Sequence, residues 1–315
     1  MTTADIQNGE EQLAGLVNVL NRTVWLVDVD DTITDTARMH AQAAPIVAST
    51  LPAGLAEEQT REVAQRFVEL FNSLFQVHQA TRRPAAATPE KTPDQARIIA
   101  RVASCQETIQ EQWGGIKRFS REVLLKLAAD DCGLALSAEN IRLSIDEYWT
   151  YMRQNVIFFK DAVALTQVLA RAGVPVYLAS SSDGRLQLRE DGQFSYDPLF
   201  SLRSKQGRLE ELRSMGVLYR GAFVGDPVDK PSKQFFNQAY SSIERDLAKQ
   251  RSSFDIVVLG DSFQSDLRTP IDNGDAALGL LYIRDQLDIR VEQDRVISIG
   301  DLGVISSMIV GLGNP

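Results

Sequence analysis

Val24-Trp25-Leu26-Val27 is a short, unbroken apolar run that stops at Asp28. A run this short, β-rich and closed by polar residues predicts a strand buried on both faces, as in a parallel sheet. Ahead of it, residues 9–20 read as a short helix. Beyond it the period changes. Val63, Phe67, Leu70, Phe71 and Leu74 recur at helical spacing and give 61–79 one amphipathic face. An Ala- and Pro-rich loop is expected at Arg82–Lys91. Thr92-Pro93-Asp94-Gln95 then supplies an N-cap hydroxyl, a proline at the first helical position and a glutamine that completes a capping box. Helices are expected at 93–112, 121–131 and 138–154, with Gly114-Gly115 breaking the chain between the first two. No strand is expected within 37–156, so this stretch reads as an all-α unit inserted after the first strand.

From Asp161 onward the pattern alternates. A helix at 161–172 precedes an apolar strand at 174–179. Arg185–Leu188 and Gln193–Tyr196 flank Asp191-Gly192, a hairpin signal. Helix 202–214, strand 221–225, helix 231–248 and strand 255–259 follow, with two more strands at 278–283 and 296–299. Helices alternating with short apolar strands predict an α/β, Rossmann-like parallel sheet with helices on both faces. The expected division is an N-terminal helical arm (1–22), an α/β core (23–36 and 157–315) and a helical cap (37–156).

Composition narrows the field. The chain has 315 residues, 44% of them hydrophobic, with 33 Lys and Arg against 42 Asp and Glu for a net charge of −9. That balance argues against a dedicated nucleic-acid binder. No apolar run approaches the roughly 18 residues of a membrane helix, so no membrane partner is expected. The first twenty residues carry Asp5, Glu10 and Glu11 without Lys or Arg, and no leader is expected there. Cys105 and Cys132 are too few for a disulfide framework or a cysteine zinc site, and a reducing cytoplasm is the expected compartment. With only His40 and His78, multi-histidine metal sites and Ser-His-Asp schemes are poor candidates.

The chemistry gathers just past the strands, where α/β sheets bind ligands. The first strand runs into Asp28-Val29-Asp30-Asp31-Thr32. The second runs into Ser180-Ser181. A later one runs into Gly260-Asp261-Ser262-Phe263-Gln264-Ser265-Asp266, and Lys230-Pro231 opens a helix between them. Together they supply carboxylates for a hard cation and donors for a phosphate. Mg²⁺ typically takes one or two carboxylates and keeps its remaining positions for water and substrate phosphate.

In this combination the chain resembles the haloacid dehalogenase (HAD) superfamily, in its capped phosphatase branch. That resemblance implies a Mg²⁺-dependent phosphomonoester hydrolase acting on a small phosphorylated metabolite through an aspartyl-phosphate. It makes Asp28 the nucleophile, and Asp30 the acid that protonates the leaving oxygen and then the base that activates water. Asp30 would also ligate Mg²⁺ through its backbone carbonyl. Asp261 becomes a direct metal ligand and Asp266 an outer one. Ser180 and Lys230 become phosphate binders, with Thr32 and Ser181 beside them. Lys233, one helical turn on, rivals Lys230. Asp31 stands where many members have glycine. Dehalogenases of this superfamily lack an acid/base carboxylate two residues past the nucleophile, so Asp30 favours phosphate chemistry.

The resemblance also makes 37–156 a cap that closes over the site and reads the leaving group. Arg38, His40, Lys117 and Arg118 are its candidate readers, each with a solvated-surface alternative. Trp113, Tyr148, Trp149 and Tyr151 read as cap core, with base or sugar stacking as the other role. Asp226 and Asp229 either line the site or cap the next helix, and His78 is given no role. The alternatives are a phosphotransferase or phosphomutase sharing every motif, a dehalogenase, and a non-catalytic phosphate-binding protein.

Overall fold

The computed structural model describes residues 3–51, 55–80, 82, 84 and 90–312. Helix α1 (Thr3–Asn18) precedes strand β1 (Thr23–Val27). Six helices follow: α2 (Thr36–Ser49), α3 (Glu57–Gln79), α4 (Pro93–Ser104), α5 (Glu107–Trp113), α6 (Arg121–Asp131) and α7 (Ala138–Gln154). The chain then alternates through α8 (Lys160–Arg171), β2 (Val176–Ser181), a hairpin of β3 (Leu186–Leu188) and β4 (Phe194–Tyr196), and α9 (Pro198–Ser214). It continues through β5 (Gly221–Gly225), α10 (Lys233–Leu247), β6 (Asp255–Gly260), α11 (Arg268–Asp272), β7 (Leu278–Tyr282), β8 (Arg290–Gln293), β9 (Val296–Ile299) and α12 (Gly303–Leu312).

Seven strands form one sheet in the order β5-β2-β1-β6-β7-β9-β8. It is parallel except for the antiparallel edge pair β8–β9. Every residue of β1 is buried, as its unbroken apolar run requires of a central strand. Alternate side chains serve opposite faces. Trp25, Val27, Leu178 and Leu259 pack with α1, α8 and α12, while Leu26, Tyr177, Ala179 and Val258 pack with α10 and Phe263. Strand order reverses at β1, which has β2 on one side and β6 on the other. The crevice past its carboxyl end is a topological switch point, the ordinary place for a ligand in an open α/β sheet.

The apolar side chains of α2 to α7 form a second body of core over one end of the sheet. Leu186 and Phe194 of the hairpin belong to that helical cluster, although they lie far along the chain in the α/β part. The two crossings between the bodies lie side by side: Asp35 N–H donates to Ile157 C=O at 2.8 Å and Phe159 N–H to Ile33 C=O at 2.9 Å.

Several elements differ from the sequence expectation. The helix expected over 93–112 is two helices, α4 and α5, broken at Cys105-Gln106. The reason is local. At the break the Gln106 backbone leaves helical geometry (φ −129°, ψ 24°), and its fully buried side-chain amide bonds both the N–H (2.8 Å) and the C=O (3.1 Å) of Lys117. Strand β8, α11, α12 and a π turn over Phe263–Leu267 were not expected. Most of the loop expected at Arg82–Lys91 lies outside the described residues. Both cysteines are free thiols, and no helix among the described residues is long and apolar enough to cross a membrane.

Candidate active site

Asp28 N–H completes the β1 ladder by donating to Leu259 C=O at 2.8 Å, which fixes Asp28 at the switch point. Its buried carboxylate accepts from Thr32 Oγ1 at 2.9 Å and from Lys230 Nζ at 2.6 Å. Lys230 also donates to Asp266 Oδ1 at 2.6 Å and to Ala179 C=O at 3.2 Å. Lys233 is exposed, so the lysine beside Asp28 is Lys230. The π turn folds Asp266 back beneath the end of β6, where its Oδ2 accepts from Ser262 N–H at 3.1 Å. A Cβ at Gly260 would lie 2.4 Å from that Oδ2, so the close approach needs glycine.

Asp28, Asp261 and Asp266 are buried and offer oxygens within 4.8 Å of one another. Arg82 reaches in from the cap and places its guanidinium 2.8 Å from Asp31 Oδ2 and 2.7 Å from Asp261 Oδ2. Asp31 has φ +61°, the left-handed region that favours glycine, which accounts for the residue type common at this position in the family it resembles. Its Oδ1 accepts from Ala37 N–H at 2.9 Å. Four buried carboxylates (Asp28, Asp31, Asp261, Asp266) thus face two cations (Lys230, Arg82), leaving a surplus of two negative charges. The electrostatics register that surplus. Burial, opposed by Lys230 and reinforced by Asp266 and Asp30, pushes the Asp28 carboxyl up to about 7. Burial also raises Asp261 well above the ordinary range, against Arg82 and with Asp28, Asp266 and Asp31 adding to it.

Asp30 sits in a different neighbourhood. Its Oδ2 accepts from Ser180 Oγ at 3.1 Å and from Lys205 Nζ, and its Oδ1 accepts from Thr36 Oγ1 at 3.0 Å. Arg208 Nη2 lies 3.7 Å from Oδ1, and Asp183 closes the group by pairing with both Lys205 and Arg208. Two carboxylates and two cations here balance. Burial would raise the Asp30 carboxyl, but Lys205 and Arg208, helped by the hydrogen bonds from Lys205 and Thr36, hold it below the ordinary carboxylate range. An acid that gives up its proton near neutrality is therefore not what this arrangement stabilises. It stabilises a carboxylate ready to accept a proton. The sequence reading missed Lys205, Arg208 and Asp183. Lys205 and Arg208 stand three residues apart on α9, a pattern indistinguishable in sequence from an exposed helix face.

The remaining candidates divide. Ser180 is fully buried beneath Asp30, while Ser181 and Ser182 line the cavity in front of Asp28. Ser181 Oγ donates to Asp229 Oδ1 at 2.9 Å, and the same oxygen accepts from Lys230 N–H at 2.7 Å. Thr32 orients Asp28 from below and does not line the cavity. Lys117 pairs with Asp226 at 3.3 Å, a bridge from the cap to the end of β5, and does not line the cavity either. Arg38 and Arg118 are exposed and lie outside it. His40 is buried against Phe71, with Nδ1 on the Tyr148 hydroxyl. Tyr151 packs at the margin of the helical core, whereas Trp113, expected in that core, is 38% exposed and stands edge-on to Tyr196 of the hairpin.

The cavity holds about 190 Å³. Its floor is Asp28, Asp30, Ser181, Lys230 and Asp261. Its roof is Phe71, Phe75, His78, Phe119, Arg121 and Trp149; of these only Trp149 was among the residues singled out from the sequence for contact with a ligand, and Arg38, His40, Lys117 and Arg118 are absent.

No family model and no curated protein matches the chain. Solved structures do. YfnB from Bacillus subtilis, a HAD-hydrolase by its description and solved with magnesium, matches with a TM-score of 0.50 at 15% identity, covering 91% of this chain and 98% of that one. A Thermotoga maritima protein described as a β-phosphoglucomutase gives a TM-score of 0.49 at 10% identity over 92% and 98%. A HAD phosphatase from Thermococcus onnurineus gives 0.46 at 15% over 92% and 98%. The chain therefore has the HAD-type α/β fold, on the strength of the first match and of its own sheet order. At such identities the likeness concerns the fold alone.

Proposed function

We propose that the protein is a Mg²⁺-dependent phosphomonoester hydrolase that works through an aspartyl-phosphate on Asp28. The observation carrying this reading is the buried trio of Asp28, Asp261 and Asp266 at the switch point, with Lys230 bonded to two of the three. The residues fit a hard divalent cation. The donors are all oxygens, the cluster holds two more carboxylates than cations, and Asp261 Oδ2, 2.7 Å from the Arg82 guanidinium, completes no hydrogen bond. Asp28 and Asp261 would hold the ion, with the Asp30 carbonyl as the further ligand and Asp266 beyond. When bound, the ion neutralises the phosphate so that an anionic nucleophile can approach it.

The side chains then take these parts. Thr32 and Lys230 fix the two oxygens of Asp28, leaving its carboxylate directed and its charge partly balanced. Lys230 sets its positive charge beside Asp28, where the phosphate oxygens would gather, while Ser181 donates its hydroxyl hydrogen to Asp229. Asp30, held ionised, takes a proton from the water that attacks the aspartyl-phosphate. In the first step a leaving oxygen that needs a proton would take it through Asp30, and with Asp30 ionised that proton would come from the substrate phosphate bound as its monoanion. The aromatic roof excludes water from the aspartyl-phosphate until Asp30 admits one.

Turnover of an aryl phosphate tests the reading. Phosphate release should require Mg²⁺, stop with EDTA and return when Mg²⁺ is restored. Full turnover in chelator, with no metal bound, would contradict it.

A further inference from the structure

Arg121 differs from every other cation that lines the cavity. Lys230 faces Asp28 and Asp266, Arg82 faces Asp31 and Asp261, and Arg208 faces Asp183. Arg121, only 7% exposed, forms no ion pair with any carboxylate among the described residues. Its hydrogen bonds go to Phe119 C=O at 2.5 Å and, weakly, to the Tyr148 hydroxyl at 3.4 Å. Its guanidinium lies over the rings of Phe71, Trp149 and Tyr148, at 4.9, 5.2 and 5.7 Å. Aromatic faces hold a cation in position but do not neutralise it. A buried charge without a counter-ion is costly, and proteins seldom keep one unpaired.

A second donor beside it is also unanswered. Trp149 lines the same cavity, is 4% exposed, and its buried Nε1–H has no hydrogen-bond partner. Two buried donors thus belong to residues lining one cavity, and neither meets an anionic acceptor among the described residues.

We propose that Arg121 and Trp149 form a second anion subsite, and that the phosphate ester taken here carries another anionic group on its leaving portion. This rests on the phosphatase reading above and gives that reading a class of leaving group: one ending in a carboxylate or a second phosphate. The anion supplies the charge that Arg121 lacks, and the indole N–H bonds one of its oxygens. Phe71, Phe75 and Phe119 enclose the short apolar spacer between the two charged ends.

Non-hydrolysable ligands test this by binding. An alkylphosphonate ending in a carboxylate, the same compound ending in a carboxamide, and a bisphosphonate of equal length are titrated calorimetrically into the full chain with Mg²⁺. The carboxylate or the bisphosphonate should bind about 10- to 100-fold more tightly than the carboxamide, the size expected of a charge-assisted bond in a dry site. Whichever binds more tightly identifies the second anion. Arg121→Met should bring the ratio to within about threefold, Arg121→Lys should keep part of it, and Trp149→Phe should lower it partially. Equal affinity of all three ligands for the unaltered protein overturns the subsite and leaves the phosphatase reading standing. Failure of every phosphonate to bind overturns the phosphatase reading, and the subsite with it.

Discussion

At the scale of the residue, two carboxylates separated by one residue in the chain are set in opposite electrostatic surroundings. Asp28 lies among other carboxylates and is pushed up to about 7. Asp30 lies between Lys205 and Arg208 and is held down. An ionised Asp30 suits the second half of the reaction, so Asp30→Asn should stall it there. With an aryl phosphate, whose phenol leaves without much help, the phosphoenzyme should accumulate in this variant while turnover falls about 10²–10⁴-fold. Rapid acid quench measures both; equal phosphoenzyme levels in variant and parent would remove the base role. His78 gives a pH prediction. Burial, with Arg82, Lys230 and Arg118 adding to it and Asp266 opposing, pushes its imidazole down to about 4, against 6.5 in the unfolded chain. Between those values the unfolded chain binds a proton that the folded one does not, so the contribution of His78 to stability should fall as pH drops from 6.5 toward 4, against the opposite slope of the raised Asp28 carboxyl. His78→Gln should flatten that part of a plot of Tm against pH; an unchanged slope would show that His78 does not titrate this way.

The motif residues Asp28, Asp30, Lys230, Asp261 and Asp266 were legible because each follows a recognisable strand or opens a helix. The residues that balance them were not. Arg82 comes from a loop, Lys205 and Arg208 from a helix face, and nothing in their local sequence separates a buried cation from a solvated one. Arg38 and Lys117 were singled out for charge and nearness in sequence, yet Arg38 is exposed and Lys117 pairs with Asp226.

At the scale of the element, the pattern of apolar residues was a good guide where burial alone decides. The strands β1, β5 and β9 and the helices α6 and α7 fall where the apolar pattern puts them. It was a poor guide where a single polar side chain intervenes, as Gln106 does between α4 and α5. The hairpin was legible from Asp191-Gly192, but its destination was not, because which core a strand joins is a tertiary fact. Leu186 and Phe194 pack among the cap helices, so the hairpin should behave energetically as part of the cap. Phe194→Ala should cost about 3–5 kcal/mol, as for a large side chain removed from a closed core. A urea melt measures it, and a loss under about 1 kcal/mol would mean that the hairpin is only a surface flap.

At the scale of the molecule, the sheet provides the reactive carboxylates and the cap provides the roof. They are joined by paired backbone crossings near Asp35 and Ile157, by Lys117–Asp226, and by Arg82 on Asp31 and Asp261. The fold class was legible from the alternation of helices and strands. The lining of the roof was not, since it depends on how separate helices turn their faces toward one point. What the proposed function asks of both bodies is a covalent step on Asp28. Its most direct test is to quench the protein in acid during turnover of an aryl phosphate with Mg²⁺, in the Asp30→Asn background, and to sequence the modified peptide by mass spectrometry. The phosphoryl group should be found on Asp28, and Asp28→Asn should show neither label nor turnover. Phosphate release with no label on Asp28, or turnover that survives Asp28→Asn, would contradict the central claim.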